Sequence, residues 1–117
     1  MLKLDRKAGE TFAYAGLVQN LDPSVAWAAS SDVVIASTRA QLDTLTVTLA
    51  QTTDWSTSGN WNISLFASAV QLAAWWTATK NLGGRVLFDI KFYNSAAPDP
   101  VLHSETVALQ LWPEITP

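Results

Sequence analysis

Apolar and polar side chains alternate with a period of two along several short segments of the chain. In residues 44–51, Leu45, Val47 and Leu49 share one face, and threonines occupy the other. This pattern is typical of a half-buried β-strand, because successive side chains of a strand point to opposite sides of the sheet. Similar alternation, more or less regular, predicts further strands over residues 10–18, 25–29, 32–39, 60–66, 85–93 and 105–112.

Residues that favour turns separate these segments. Examples are Asp22-Pro23, Ser58-Gly59, Gly83-Gly84 and the stretch 97–100. Gly reaches left-handed backbone conformations and Pro lacks a donor for the sheet ladder, so both interrupt strands. About seven short strands with turns between them favour an all-β fold, an antiparallel β-sandwich or barrel.

One segment, residues 68–80, is rich in alanine and shows no strand alternation. Ser68 and Gln71 have the spacing of a capping box, in which each side chain bonds the backbone N–H of the other residue. Lys80 suits the last turn of a helix, where a cation complements exposed carbonyls, and Gly83 can adopt a left-handed conformation after it. We therefore predict a helix of about three turns that caps one end of the sandwich.

The predicted helix carries two adjacent tryptophans, Trp75 and Trp76. On a helical wheel of 100° per residue, Trp76 shares a stripe with Leu72 and two alanines, and Trp75 lies at the margin of that stripe. We expect Trp76 to fill the core between two sheets. Trp75 is then expected to be partly exposed, at a contact surface.

Length and composition favour a single domain over residues 1–117. The chain has 117 residues, of which 49% are hydrophobic, enough to close one apolar core. We expect the two ends, residues 1–8 and 113–117, to be flexible or to act as linkers.

Charge and cysteine content exclude several classes of protein. With 7 basic and 10 acidic residues the net charge is −3, and no basic cluster is present to displace counterions from a nucleic acid. No apolar run approaches the ~20 residues that span a bilayer, so we expect no membrane partner. The N-terminus lacks the apolar region of a signal peptide. The absence of Cys excludes disulfides and thiolate chemistry, and it suits a reducing cytosol.

Candidate catalytic groups are sparse. The one histidine, His103, is followed by Ser104 and Glu105, but neighbours on a strand point to opposite faces and cannot form a triad among themselves. Asp89 lies mid-strand on the predicted outer face near Lys91, where a cross-strand charge pair explains it. One histidine and no cysteine make a zinc site implausible. We predict no enzyme activity, no catalytic residue, no metal and no cofactor.

The six tryptophans are the unusual feature of the composition. Trp27 and Trp55 lie on no clear inward phase, and Trp112 falls on the outward phase of its strand. Large aromatic side chains either plug the ends of a small sandwich or anchor a contact. Together with Trp75, these three residues form the predicted interaction surface. Stacking of a sugar ring on Trp27, Trp55 or Trp112 is the alternative interpretation.

The order of the elements resembles a known family. The motifs that carry the resemblance are Gly9-Glu10-Thr11 at a strand start, Trp75 or Trp76 before the next strand, Phe88-Asp89-Ile90 within that strand, and Ile115-Thr116 at the end. They are similar to motifs of the immunoglobulin-like (Ig-like) β-sandwich modules of tailed-phage tail and baseplate proteins, including the N-terminal domains of baseplate upper proteins. The chain departs from the family in its longer alanine-rich helix. It also ends where larger members continue into receptor-binding or linking parts.

The resemblance implies an Ig-like antiparallel sandwich of about seven strands with one short helix. It also implies a non-enzymatic module of a phage or prophage tail or baseplate, without catalytic residues to carry over. Its partners would be other tail or baseplate proteins or identical copies, contacted through edge strands or sheet faces. We then expect the protein in the virion, or in the cytoplasm of the bacterial host during assembly. The alternative function is that of a carbohydrate-binding module.

Overall fold

The computed structural model describes residues 1–116, which form eleven β-strands and two helices. The strands are β1 (Leu2–Lys7), β2 (Phe12–Val18), β3 (Trp27–Ser30), β4 (Asp32–Ile35), β5 (Gln41–Thr44), β6 (Thr46–Gln51), β7 (Trp61–Ala67), β8 (Arg85–Phe88), β9 (Lys91–Asn94), β10 (Val101–His103) and β11 (Val107–Trp112). The helices are α1 (Trp55–Ser58) and α2 (Ala69–Thr79). The predicted all-β class is confirmed.

Several of these strands are halves of longer runs. One residue, Ser31, separates β3 from β4, and one residue, Leu45, separates β5 from β6. Two residues separate β8 from β9, and three separate β10 from β11. The eleven strands therefore amount to seven extended runs of chain. The sequence pattern also indicated about seven strands, but it missed β1 and counted β3 and β4 separately.

The strands form two layers. One layer is the three-stranded sheet β2-β7-β6, and the other contains β1-β11-β8-β4-β5 and β10-β9-β3. The last two groups share one register, because β3 and β4 pair with β9 and β8 from Trp27 opposite Asn94 to Ile35 opposite Val86. Where this ladder is interrupted, the Ser31 hydroxyl donates a hydrogen bond of 2.6 Å to the Asp89 carbonyl. We call this second group the long layer.

The core lies between the two layers. Strand β7 alternates strictly, with Ile63 and Leu65 buried towards the long layer. Phe12 of β2 meets Phe88 of β8 edge to face, with ring centroids 5.8 Å apart. Contacts of this kind join the layers through apolar surface, which is the main stabilising term for a small domain.

The structure differs from the sequence-based expectation at the N-terminus, where residues 1–8 were expected to be flexible or to act as a linker. Residues 2–7 form β1, which pairs in parallel with β11 from Leu2 opposite Val107 to Lys7 opposite Trp112. Leu4 packs against the core from this edge. Charged residues are common on edge strands, and here they hide the strand pattern. At the other end, residues 113–116 form no strand or helix, and residue 117 lies outside the described residues.

Helix α2 begins as predicted. Ser68 is its N-cap, and the reciprocal capping-box hydrogen bonds with Gln71 are both present, at 3.1 and 2.9 Å. After the helix, Gly83 has the expected positive φ of 96°. The helix connects β7 in one layer with β8 in the other. No helix within residues 1–116 has the length and apolar character needed to cross a membrane.

The predicted orientation of the tryptophan pair is wrong. Trp75 is 1% exposed and lies in the core with Leu72 and Thr79, whereas Trp76 packs against the core and is only partly buried. The Thr79 hydroxyl donates to the Trp75 carbonyl at 2.7 Å, and this internal bond lets a polar residue occupy the buried stripe. The helical wheel placed alanines in that stripe and did not include Thr79.

Removal of the two indoles should therefore have unequal effects. We expect Trp75→Ala to lower the free energy of unfolding by about 3–5 kcal/mol, because it leaves a cavity in the core. Trp76→Ala removes the same ring from a partly exposed position and should cost clearly less. Urea denaturation of both variants measures the difference. A larger loss for Trp76→Ala would contradict the observed helix orientation.

Candidate interaction surfaces

Two of the four predicted surface tryptophans come together at one end of the domain. Trp27 at the start of β3 and Trp55 at the start of α1 line a cleft of about 380 Å³. The third ring in this cleft belongs to Trp61 of β7, which stands edge to face with Trp55 at a centroid distance of 5.7 Å. Sequence analysis did not select Trp61, because its strand phase marks it as a core residue.

The cleft exposes little aromatic surface. Trp27 is 8% exposed and Trp61 is 7% exposed, so their ring faces are covered by protein. The Trp27 indole N–H donates to the Asp22 carbonyl at 2.9 Å. The Asp22 carboxylate accepts hydrogen bonds from the Ser24 hydroxyl and the Ser24 backbone, which lower the pKa of Asp22. These rings close the end of the core, and they offer no stacking platform.

Two indole nitrogens in this cluster lack an acceptor. The Nε1 atoms of Trp55 and Trp61 are buried, and neither has a hydrogen-bond partner among residues 1–116. A buried polar group without a partner lowers stability, and such groups are uncommon in folded proteins.

Trp75 does not belong to an interaction surface. It is fully buried under helix α2, and its indole N–H donates to the Asp43 carboxylate at 2.8 Å. The Gln71 side-chain amide donates to the same carboxylate at 3.2 Å. The predicted contact role of Trp75 is therefore wrong, because Asp43, distant in sequence, turns this indole inwards.

Trp112 is the one predicted tryptophan that presents a large part of its ring to solvent. It is 51% exposed, as its outward strand phase predicts, and its indole N–H donates to the Asp5 carboxylate at 3.1 Å. A cleft of about 330 Å³ next to it is bordered by Lys3, Arg85 and Gln110. This part of the long layer therefore combines an exposed aromatic ring with charged and amide side chains.

The outward side of the sheet β2-β7-β6 is free of charge. The registers of its two strand pairs place nine exposed side chains on this side: Ala13, Ala15, Leu17, Thr46, Thr48, Ala50, Asn62, Ser64 and Phe66. We call this set the uncharged face. Leu17 and Phe66 are its two large apolar members, each about half exposed. The threonines of 44–51 were visible in the sequence, but which strands lie beside them was not.

The edge of the same sheet is open between the layers. Tyr14 of β2 lies opposite Leu65 and therefore points inwards, yet it is 51% exposed. An apolar cleft of about 170 Å³ lies beside it, bordered by Leu2 and Leu4 of β1. We call this cleft the seam. It exists because the long layer leaves the inward side of β2 uncovered at this point.

The candidate catalytic residues do not form a site. His103 Nδ1 lies 3.5 Å from the Asp89 carboxylate, and both side chains are about half exposed. The Ser104 hydroxyl accepts from the Ile90 backbone N–H and donates to the Glu105 carbonyl, so it is held by the backbone and not by the imidazole. No group of three or more metal-binding side chains occurs in the part of the chain that the structure describes.

Neither a scan against models of protein families nor a search of curated proteins finds a match to this chain. The fold and the surfaces described above define it as a two-layer, all-β domain. Its main surface features are an uncharged sheet face, an open sheet edge and one exposed tryptophan.

The hydrogen bonding of the tryptophan cluster can be tested with two matched variants. Trp27→Phe and Trp61→Phe shorten equally buried rings, but only Trp27 loses a hydrogen bond to a backbone carbonyl. We expect Trp27→Phe to lower the free energy of unfolding by about 0.5–1.5 kcal/mol more than Trp61→Phe. Chemical denaturation gives both values. Equal losses would mean that the Trp61 N–H has a partner in solution.

Proposed function

We propose that this protein is a non-enzymatic structural module that acts by binding other proteins. The observation that carries the proposal is the uncharged face, where nine adjoining side chains of one sheet include no Lys, Arg, Asp or Glu. The centres of protein interfaces are depleted in charge and contain anchoring apolar and aromatic residues. Leu17 and Phe66 are suited to be such anchors, because they stand half exposed among small residues.

The long layer supports this interpretation by contrast. By strand alternation its outward side carries seven charged residues: Lys3, Asp5, Lys7, Asp32, Arg85, Asp89 and Lys91. Mixed charge of this kind keeps a sheet face solvated and discourages association. The two faces of the domain therefore differ in chemistry, and the uncharged one is the better candidate for a protein contact.

The strand grouping supports the Ig-like assignment as part of the proposal. The second and fifth runs, β2 and β7, share a sheet with β6, as strands B, E and D do in immunoglobulin domains. The third, sixth and seventh runs lie together in the long layer, as strands C, F and G do. The first run departs from the constant-domain arrangement, because β1 pairs with the last strand and not with β2.

Within this class, we propose a module of a phage or prophage tail or baseplate, as the resemblance of the motifs implies. The partners are then other tail or baseplate proteins or identical copies of the chain. The protein would reside in the virion, and in the cytoplasm of the bacterial host before assembly.

Incorporation into tail particles tests this role. We expect the wild-type chain to co-sediment with purified tail particles of the phage or prophage that encodes it. Ser64→Lys should reduce incorporation at least several-fold, because it places a charge at the centre of the uncharged face. Thr77→Lys on the exposed side of α2 is the matched control and should incorporate normally. Absence of the wild-type chain from the particles would refute the assembly role.

Carbohydrate binding is a second candidate, favoured by one observation. Trp112 keeps half of its surface exposed beside Lys3, Asp5 and Arg85, and hydrogen-bonding side chains around an exposed ring are what a sugar needs. Trp27 no longer supports this function, because its ring is buried. Trp55 packs edge to face against Trp61 in the same cluster.

Tryptophan fluorescence distinguishes this second candidate. If sugar stacks on Trp112, oligosaccharides released from the host cell surface should quench part of the fluorescence in a saturable way. Trp112→Ala should abolish the saturable part with little change in melting temperature, because the side chain is half exposed. Trp76→Phe serves as the control and should leave it intact. Quenching that survives in Trp112→Ala would exclude a site at this residue.

A further inference from the structure

Strand β2 is an open edge. It pairs with β7 on one side only, and among residues 1–116 no backbone hydrogen bond joins its other side to another part of the chain. In an antiparallel strand, alternate residues direct their N–H and C=O groups to each side. The free side of this seven-residue strand therefore presents a row of unused donors and acceptors.

The devices that usually protect an edge are missing from β2. Its sequence, FAYAGLV, contains no charged residue and no proline, and its register with β7 is continuous from Phe12 opposite Ala67 to Val18 opposite Trp61. The edge strand of the other layer, β1, carries four charged residues: Lys3, Asp5, Arg6 and Lys7. The far edge of the same sheet, β6, lies against β3 of the long layer. β2 is therefore less protected than β1 or β6.

The seam beside β2 indicates what an added strand would do. An added strand would extend the sheet β2-β7-β6 and place alternate side chains inwards, above the apolar cleft next to Tyr14. This would cover the inward side of Tyr14, which is now half exposed. Hydrogen bonds to the backbone and burial of the seam would both favour the complex.

We propose that β2 pairs antiparallel with β2 of a second copy of this chain, about a twofold axis at Ala15. The inference rests on the proposed protein-binding function and names the partner. An uncharged strand can lie against its own copy in any register without bringing like charges together. The result is a continuous six-stranded sheet whose outward side joins two uncharged faces.

The register at Ala15 follows from side-chain size. It pairs all seven residues, with Tyr14 opposite Gly16 and Phe12 opposite Val18 on the inward side. A large residue thus meets a smaller one at each position, as cross-strand packing favours. Within each strand the Tyr14 side chain already lies over Gly16, where an added Cβ would be 2.8 Å from the tyrosine hydroxyl, so a larger residue at position 16 would displace the ring.

The neighbouring registers are less favourable. An axis at Tyr14 would set two tyrosines opposite each other on the inward side and pair only residues 12–16. An axis at Gly16 would pair only residues 14–18 and leave Phe12 without an opposite residue. Both lose backbone hydrogen bonds at the ends of the strand. An odd-numbered residue cannot lie opposite an even-numbered one, because the inward side of one copy would then be on the outward side of the shared sheet.

A single introduced cysteine tests the pairing directly, because the chain contains none. At the twofold axis, Ala15→Cys places two Cα atoms about 4.5–5.5 Å apart, within the range that a disulfide spans. We expect most of this variant to run as a covalent dimer on a non-reducing gel after mild oxidation at micromolar concentration. Thr48→Cys lies on the same uncharged face but on β6, and it should remain largely monomeric. Equal cross-linking of the two variants would overturn the proposal.

A second measurement does not depend on oxidation. Ala15→Lys sets two ammonium groups against each other at the axis and should weaken the wild-type dimer roughly fivefold or more in sedimentation equilibrium. Thr48→Lys should leave the dissociation constant within about twofold of wild type. Circular dichroism and melting curves establish that both variants fold. A dimer that Ala15→Lys does not weaken would show that another surface makes the contact.

The outcomes separate this inference from the assembly role. A wild-type chain that enters tail particles but stays monomeric at 100 micromolar (about a hundredfold above the working concentration of the cross-linking experiment) refutes the self-pairing and leaves the assembly role standing. A chain that cross-links through Ala15→Cys but is absent from tail particles refutes the tail role and supports the self-pairing. Success in both experiments supports both proposals.

Discussion

The carboxylate of Asp43 joins helix α2 to strand β5, two segments whose contact the sequence alone does not reveal. It accepts hydrogen bonds from the Trp75 indole at 2.8 Å and from the Gln71 amide at 3.2 Å. Asp43 lies in β5, just before the chain passes through Leu45 into β6 of the other layer. Burial raises the pKa of Asp43, but the hydrogen bonds from Trp75, Thr44 and Gln71 outweigh it, and the pKa falls below its usual value. An ionised acceptor therefore fixes α2 to the point where a strand changes layers.

Local sequence patterns were sufficient to predict most strands and helix α2, but not to predict which side of the helix faces the core. The capping box of α2 was predictable because its partners, Ser68 and Gln71, lie three residues apart. The rotation of the helix was not, since the acceptor that draws Trp75 inwards is 32 residues away. In the same way, the strand pattern showed the threonine side of β6. It could not show that β2 and β7 would extend that side into an uncharged face.

The tryptophans show how one residue type serves different physical roles in a small domain. Trp27 and Trp61 close one end of the core, where large rings cover apolar surface that short strands leave open. Trp75 donates its indole N–H to the Asp43 carboxylate and fills the space under α2. Trp112 lies outside both groups, oriented by Asp5 on the charged layer. Sequence phase identified Trp112 because a strand exposes alternate residues, whereas cluster membership depends on contacts between distant segments.

The two layers differ in how they resist association, so one side of the domain is better suited to a protein contact than the other. The long layer carries charge on its outward side and along its edge strand β1, so an approaching strand or face meets solvated ions. The sheet β2-β7-β6 has neither protection, although it contains some of the most regular alternation in the chain. Charged side chains therefore oppose contact at the outward side of the long layer, and no such charges lie on the outward side of the sheet β2-β7-β6. A monomer that gained nothing from contact would be expected to protect both sides, because an open apolar edge favours aggregation. The asymmetry is most simply explained if the unprotected sheet is covered by another protein chain when the molecule performs its role.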